Sequence, residues 1–281
     1  MSEAKNACVI GWPIGHSRSP LVHNYWIAQH GLDAHYDKEA VRPEDFEAFV
    51  RGLAARGYRG ASVTVPHKEA ALALADEADA TARAIGAANT LWLEDGRLHA
   101  TNTDAYGFMT HLDLSAPGWD APPRPAAVRG AGGAARAVLA GLAERGLPEI
   151  RLLNRTRARA EALAGRLGSR VEVGDWDERD AVLEGCGLLV NTTTLGMAGA
   201  PALEIDLARL PDDAVVADIV YTPLETPLLA AARAGGLGTV DGLGMLLHQG
   251  ALGFERWFGV RPEVTEELRA LVVADLGEAA C

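Results

Sequence analysis

The residues Gly130-Ala131-Gly132-Gly133-Ala134-Ala135 fit the pattern G-x-G-x-x-G/A, between an apolar run and a helix-length segment. The chemistry of that spacing is direct. The first glycine permits a tight turn, the second lets backbone approach a pyrophosphate, and the small sixth residue lets helix and strand pack closely. A helix opening there offers free N–H groups and a partial positive charge to the phosphates. A Gly/Ala-rich turn without a ligand is the plain alternative, and the strand–turn–helix context favours the dinucleotide. Arg129 stands where a strand end is usually apolar, and it is expected to point out at the sheet margin. The next predicted strand ends in Asn154-Arg155-Thr156. An NAD site would carry Asp or Glu here for the ribose hydroxyls. A carboxylate is absent, and arginines stand at 155, 157 and 159. A guanidinium grips a 2′-phosphate and stacks on adenine, so the pattern favours NADP. The alternative is a solvated basic helix start capped by Thr156. Arg157 is read that way, and Arg155 and Arg159 as the phosphate candidates.

Two further groups invite a chemical reading. In His16-Ser17-Arg18-Ser19-Pro20, two hydroxyls beside the free N–H groups of a helix start suit a carboxylate. A simple N-cap would explain Ser19 but not Ser17. In Ser62-Val63-Thr64-Val65-Pro66-His67-Lys68, a lysine follows an apolar strand and a proline that turns the chain. Partly desolvated, such a lysine moves protons; solvated, it is an ordinary surface group. The histidines at 16, 23, 30, 35, 67, 99, 111 and 248 form no ligand spacing, and no metal is expected. His67 is read as structural.

The elements that must position these groups follow from patterning. Asn6 to Trp12, His35 to Ala40 and Gly60 to Val65 read as strands. Ser19 to His30 reads as a helix with Ser19 as N-cap and Pro20 in the first turn, Pro43 to Arg56 as another, and helical segments run on to Ile85. Ala88 to Leu93 and Arg97 to Thr101 form a predicted hairpin around Asp95-Gly96. Pro117 to Pro125, with four prolines, breaks the chain. Beyond it, apolar runs at 126–128, 150–153, 171–173, 188–191, 215–219 and 238–240 alternate mostly with helix-length segments. That rhythm indicates a parallel sheet covered on both faces. The tail from Leu243 to Leu276 is helical, with a break near Gly259 to Pro262.

The expected fold is therefore α/β in two domains, with a cleft between them. An N-terminal α/β substrate and catalytic domain spans 1–104, and the helices of 243–281 are expected to pack back on it. A C-terminal Rossmann-type, doubly wound parallel sheet spans 105–242. The 281 residues suit about two domains. A net charge of −12 disfavours nucleic acid and anionic membranes as partners, because phosphate contacts need clustered cations. Cys8, Cys186 and Cys281 form no pair motif, as expected in a reducing compartment. The segment Met1 to Ala7 does not resemble a signal peptide, and no run has membrane-spanning length, so the cytoplasm is expected.

Eight motifs in order, HSRSP (16–20), SVTVPHK (62–68), GAANT (86–90), NTD (102–104), GAGGAAR (130–136), NRTRAR (154–159), DIVYTP (218–223) and DGLGMLLHQGA (241–251), resemble shikimate dehydrogenases. The resemblance runs from Ile10 to Phe254. It implies that Ser17 and Ser19 bind the substrate carboxylate, with Tyr221 closing that end. It implies that Thr64, Asn89, Asp104 and Gln249 hold the ring hydroxyls, and that Lys68 and Asp104 are the acid–base pair. For NADP it implies Gly130, Ala131, Gly132, Gly133 and Ala134 at the pyrophosphate. Asn154, Arg155, Thr156 and Arg159 would hold the 2′-phosphate end, with Thr193, Gly242 and Met245 as further contacts. The implied ligands are shikimate or 3-dehydroshikimate with NADP, and a homodimer is the candidate assembly. The sequence departs from the family pattern at Ser62, often Asn, and at Thr192-Thr193-Thr194, more usually Ala-Thr-Ser. These leave room for altered substrate choice. The competing expectations are a quinate/shikimate dehydrogenase and a non-catalytic sensor of the same ligands. A methylene-tetrahydrofolate dehydrogenase would not require the HSRSP serines or Gln249.

Overall fold

The structure is a computed structural model that describes residues 5–168 and 170–278. In chain order the first elements are β1 (Asn6–Gly11), α1 (Ser19–Gln29), β2 (Tyr36–Ala40), α2 (Phe46–Arg51), β3 (Tyr58–Val63) and α3 (Lys68–Leu74). Next come β4 (Glu77–Ala78), α4 (Ala80–Ile85), β5 (Thr90–Glu94), β6 (Arg97–Thr101) and α5 (Asp104–Ser115). They are followed by β7 (Ala126–Arg129), α6 (Gly133–Arg145), β8 (Ile150–Leu153), α7 (Arg157–Leu167), β9 (Val171–Val173) and β10 (Leu188–Asn191). The last are β11 (Val215–Asp218), α8 (Pro227–Ala234), β12 (Gly238–Val240), α9 (Leu243–Phe258) and α10 (Glu266–Glu278).

The chain divides into two compact units. Unit 1 holds the residues up to Asp104 together with Leu247–Ala274, and unit 2 holds Ala105–Leu246 and the end of α10 from Asp275. Helix α9 thus belongs to both units, its first residues, 243–246, lying in unit 2.

In unit 1 the described residues form a mixed sheet of order β2-β1-β3-β5-β6-β4. β1 runs parallel to β2 and β3, while β5 is antiparallel to β3 and β6. The expected hairpin turns through Asp95 and Gly96, both at positive φ. Helix α9 packs within the unit through Trp257, whose indole N–H donates to the Leu91 carbonyl at 2.8 Å. Gly60 makes room for that ring: a Cβ there would overlap the indole and the Leu91 carbonyl.

Three local expectations are corrected. Ser19 is not the N-cap of α1; that place is held by Arg18, without a side-chain cap. Instead Ser17 Oγ accepts the Ser19 N–H at 3.3 Å, one residue earlier than a simple cap would reach. The helix expected over 43–56 is a 3₁₀ turn (Pro43–Asp45), the short α2, and a second 3₁₀ turn (Ala54–Arg56), with Gly52 and Gly57 ending the segments. The third lies between α3 and α4: the two-residue strand β4 pairs with β6 where only helical segments were expected.

In unit 2 the described residues form an all-parallel sheet of order β12-β11-β10-β7-β8-β9. This is the doubly wound Rossmann order, reversing between β7 and β10. Alternation explains the apolar runs. Ala126 and Val128 join a core with Val138 and Leu142 of α6, whereas Ala127 faces a second core with Leu189, Val216 and Leu228. Arg129 follows the same alternation to the face of Ala127 and is only 1% exposed, so it does not point out at the sheet margin. Its aliphatic stem and its guanidinium lie inward, over the Trp176 ring.

Candidate active site

Topology gathers the unit 1 candidates at one sheet edge. Because β1 and β3 are parallel, the loop carrying Ser17 and the turn carrying Thr64 leave the same edge, where the Thr64 N–H donates to the Ile10 carbonyl at 2.9 Å. Antiparallel β5 begins there, so Asn89 adjoins Val63, whose N–H donates to its carbonyl at 2.7 Å. β6 ends there, delivering Asp104 as the first residue of α5.

The side chains then lock together. Lys68 Nζ donates to Asp104 Oδ2 at 2.5 Å, with the lysine side chain 16% and the aspartate 7% exposed. Asn89 Nδ2 donates to Asp104 Oδ1 at 2.9 Å and to Gln249 Oε1 of α9 at 3.2 Å. Asn89 Oδ1 accepts the Thr103 N–H at 2.8 Å, and the Asp104 N–H donates to Asn102 Oδ1 at 3.0 Å. A largely buried amine is thus held on a buried carboxylate whose other oxygen is also bonded. Ser17 and Ser19 are buried and joined to each other, and Thr64 is half-buried. His67 is structural: its ring stacks on Phe46 with centroids 4.4 Å apart, Nε2 bonds the Val41 carbonyl at 2.8 Å, and burial lowers its pKa.

In unit 2 the residues present fit a dinucleotide. Gly130 has φ +107°, and a Cβ there would lie 2.6 Å from Thr192 Oγ1, so the turn admits only glycine. Gly132 is the N-cap of α6 and brings no side-chain cap, which leaves the first-turn N–H groups beside Gly133 and Ala134 for an anion. Ala131 is half-buried against the unit 2 core, and buried Ala135 permits the close helix approach. Asn154 Nδ2 donates to the Thr156 carbonyl at 2.8 Å, shaping the turn after β8. Arg155, Thr156 and Arg159 are exposed; Thr156 is the N-cap of α7 without a side-chain bond. Arg157 pairs with Glu161 at 2.8 Å, an ordinary helix-surface pair. A cavity of about 260 Å³ is lined by Arg129, Gly130, Asn154, Arg155, Thr193 and their neighbours.

Other candidates fall at loop and core positions. Thr193 donates its hydroxyl to Asn191 Oδ1 at 2.7 Å. Gly242 is wedged against the Ile219 and Val220 carbonyls, leaving no room for a Cβ. Met245 is packed into the unit 2 core, and Tyr221 is half-buried after β11. Sequence reasoning assigned no role to Asn102, Thr103, Asn191 or Asp218. Asp218, raised in pKa by burial, accepts from Asn191 at 3.0 Å and Thr226 at 2.8 Å, and so fixes the loops carrying Thr193 and Tyr221. For Asn191 and Asp218 the signal available was a polar residue ending an apolar strand; Asn102 and Thr103, just past β6, carried no such signal.

A Rossmann unit with an open glycine loop, joined to a unit bearing a buried amine–carboxylate pair, defines a pyridine-nucleotide-binding protein of oxidoreductase type. Residues 9–91 match the model of the shikimate dehydrogenase substrate binding domain, and residues 242–271 that of the shikimate 5'-dehydrogenase C-terminal domain. A shikimate dehydrogenase (NADP(+)) of Azorhizobium caulinodans is 58% identical over 272 residues, covering 97% of each chain. A Thermus thermophilus shikimate 5-dehydrogenase solved in complex with NADP(H) and shikimate is 35% identical with TM-score 0.85, covering 99% of this chain and 100% of the other. A Corynebacterium glutamicum quinate dehydrogenase solved in complex with NAD is 29% identical with TM-score 0.89, covering 96% and 99%. The chain belongs to the shikimate dehydrogenase family.

Proposed function

We propose that this protein is an NADP-dependent shikimate dehydrogenase, interconverting shikimate and 3-dehydroshikimate. The observation that carries it is the Lys68–Asp104 pair, bonded through Asn89 to Gln249. Oxidising a secondary alcohol removes a hydride from carbon and a proton from oxygen. A nicotinamide held by the glycine loop would supply the hydride acceptor. Lys68 takes the proton from the hydroxyl and, in the reverse direction, returns it to the alkoxide oxygen. Asp104 holds the hydroxyl in line, and Asn89, Gln249 and Thr64 bond the remaining ring hydroxyls. Ser17 and Ser19, beside the open first turn of α1, take the carboxylate. The glycine loop binds the pyrophosphate, and Asn154, Arg155 and Arg159 the 2′-phosphate; no carboxylate ends β8 to favour NAD.

We also propose that the reaction runs in the cytoplasm, a reading supported by the free, buried thiols of Cys8 and Cys186. No helix among the described residues is long and apolar enough to cross a membrane. The candidate homodimer is tested by sedimentation of the purified chain. The test of function is cofactor reduction followed by near-ultraviolet absorbance, with shikimate or quinate offered against NADP or NAD. Rapid reduction with shikimate and NADP alone is the expected result. Equal turnover of quinate would make the protein a quinate/shikimate dehydrogenase, and binding of NADP without turnover would make it a sensor.

A further inference from the structure

Arg129 ends β7 with a buried charge that the cofactor assignments leave unused. One nitrogen, Nη2, donates to the Arg179 carbonyl, and the guanidinium carbon lies 5.7 Å from the Trp176 ring centroid. Nε and Nη1 are buried without a hydrogen-bond partner. Among the described residues no carboxylate stands within salt-bridge distance; Asp180 acts on the group only at longer range. Burial pulls its pKa down to about 10, so the group stays charged at neutral pH. Unpaired N–H groups on a buried cation are costly, and an anion that reaches them removes the cost.

The position says which anion. The pyrophosphate belongs at the N-terminus of α6. Arg129 lies on the opposite face of β7 from α6, the face of Ala127 and Leu203. It lines the same cavity as Asn154 and Arg155, where the chain leaves β8. In a doubly wound dinucleotide fold that strand end meets the adenosine ribose. We propose that Arg129 is a further specificity residue for the cofactor, donating from inside this cavity to the 2′-phosphate of NADP beside Asn154 and Arg155. The assignment rests on the NADP reading and deepens it. It also explains why a strand end that would otherwise be apolar carries a cation.

The experiment is calorimetric titration of wild type, Arg129→Met and Arg129→Lys with NADP and with NAD, circular dichroism checking the fold. Wild type is expected to prefer NADP. Arg129→Met should weaken NADP by about tenfold or more, the scale of a lost charge-assisted contact, while NAD binding changes little. Arg129→Lys should fall between. If Arg129→Met does not fold, Arg129→Lys carries the test, with a lowered NADP-to-NAD preference expected. A variant that keeps the wild-type preference, or loses both cofactors equally, overturns the proposal while leaving the NADP reading intact. Wild type that binds NAD as tightly as NADP overturns both.

Discussion

A primary amine held 2.5 Å from a carboxylate, with both side chains largely buried, can pass a proton without losing its position. Replacing Lys68 with Ala removes the proton carrier and leaves Asp104 bonded to Asn89. The expected loss in kcat is on the order of 10²–10⁴, the usual worth of acid–base help. NADP affinity, measured by titration, should be unchanged, since the glycine loop lies in the other unit. Near-normal turnover would remove Lys68 from the mechanism. The residues themselves marked Lys68 only as a candidate, because it follows an apolar strand and a chain-turning proline, and left a solvated surface lysine as the alternative. Its partners were not: Asp104 is 36 positions away and Gln249 is 160 positions from Asn89. No spacing rule joins residues that the β3–β5–β6 pairing and the packing of α9 bring together, and their roles came from family resemblance.

At the scale of elements, β10 and β11 end in polar residues that tie their loops together. The Asp218 carboxyl accepts from the Asn191 amide, the Thr226 hydroxyl and the Val220 N–H. Asp218→Ala strands these donors in a buried place, where each unmet group costs about 1–3 kcal/mol. A drop of at least about 2 kcal/mol in unfolding free energy is expected, read by urea denaturation. Weaker NADP binding should accompany it, because Asn191 also holds Thr193. Unchanged stability would show that the loops find other partners. The central strands β7, β10 and β11 were readable because both faces are covered, which keeps each of them buried throughout and almost wholly apolar. The segment 43–56 was not, because its residues suit a helix while Gly52 and Gly57 end it in pieces. Arg129 misled for a related reason: a lone charge reads as exposed, whereas this guanidinium is covered by the Trp176 ring and bonded to the Arg179 carbonyl.

For the whole molecule, the pH dependence of stability turns on a histidine outside the candidate site. His23 is 1% exposed in unit 1, stacked on Tyr36 at 4.1 Å and edge-on to Trp26 at 5.4 Å. Burial lowers its pKa from 6.5 to about 3. Between those values the unfolded chain takes up a proton that the folded chain refuses, so acid favours unfolding. The contribution is complete above pH 6.5 and is lost progressively as pH falls toward 3. From pH 7 to pH 5 that loss amounts to about 2 kcal/mol. His67, lowered by burial in the same unit, acts in the same direction. The carboxylates held low by arginines, Asp113 and Glu149, act only at more acid pH, while Asp218, raised by burial, takes up its proton first in the folded chain and opposes the histidines. Urea unfolding followed by tryptophan fluorescence suits the question, since Trp26 and Trp257 flank the ring. Wild type should lose stability across the window. His23→Phe keeps an aromatic ring in the stack and should flatten the profile by the larger share. A variant whose profile parallels wild type would show that His23 is protonated in the folded protein and that its burial does not govern acid sensitivity.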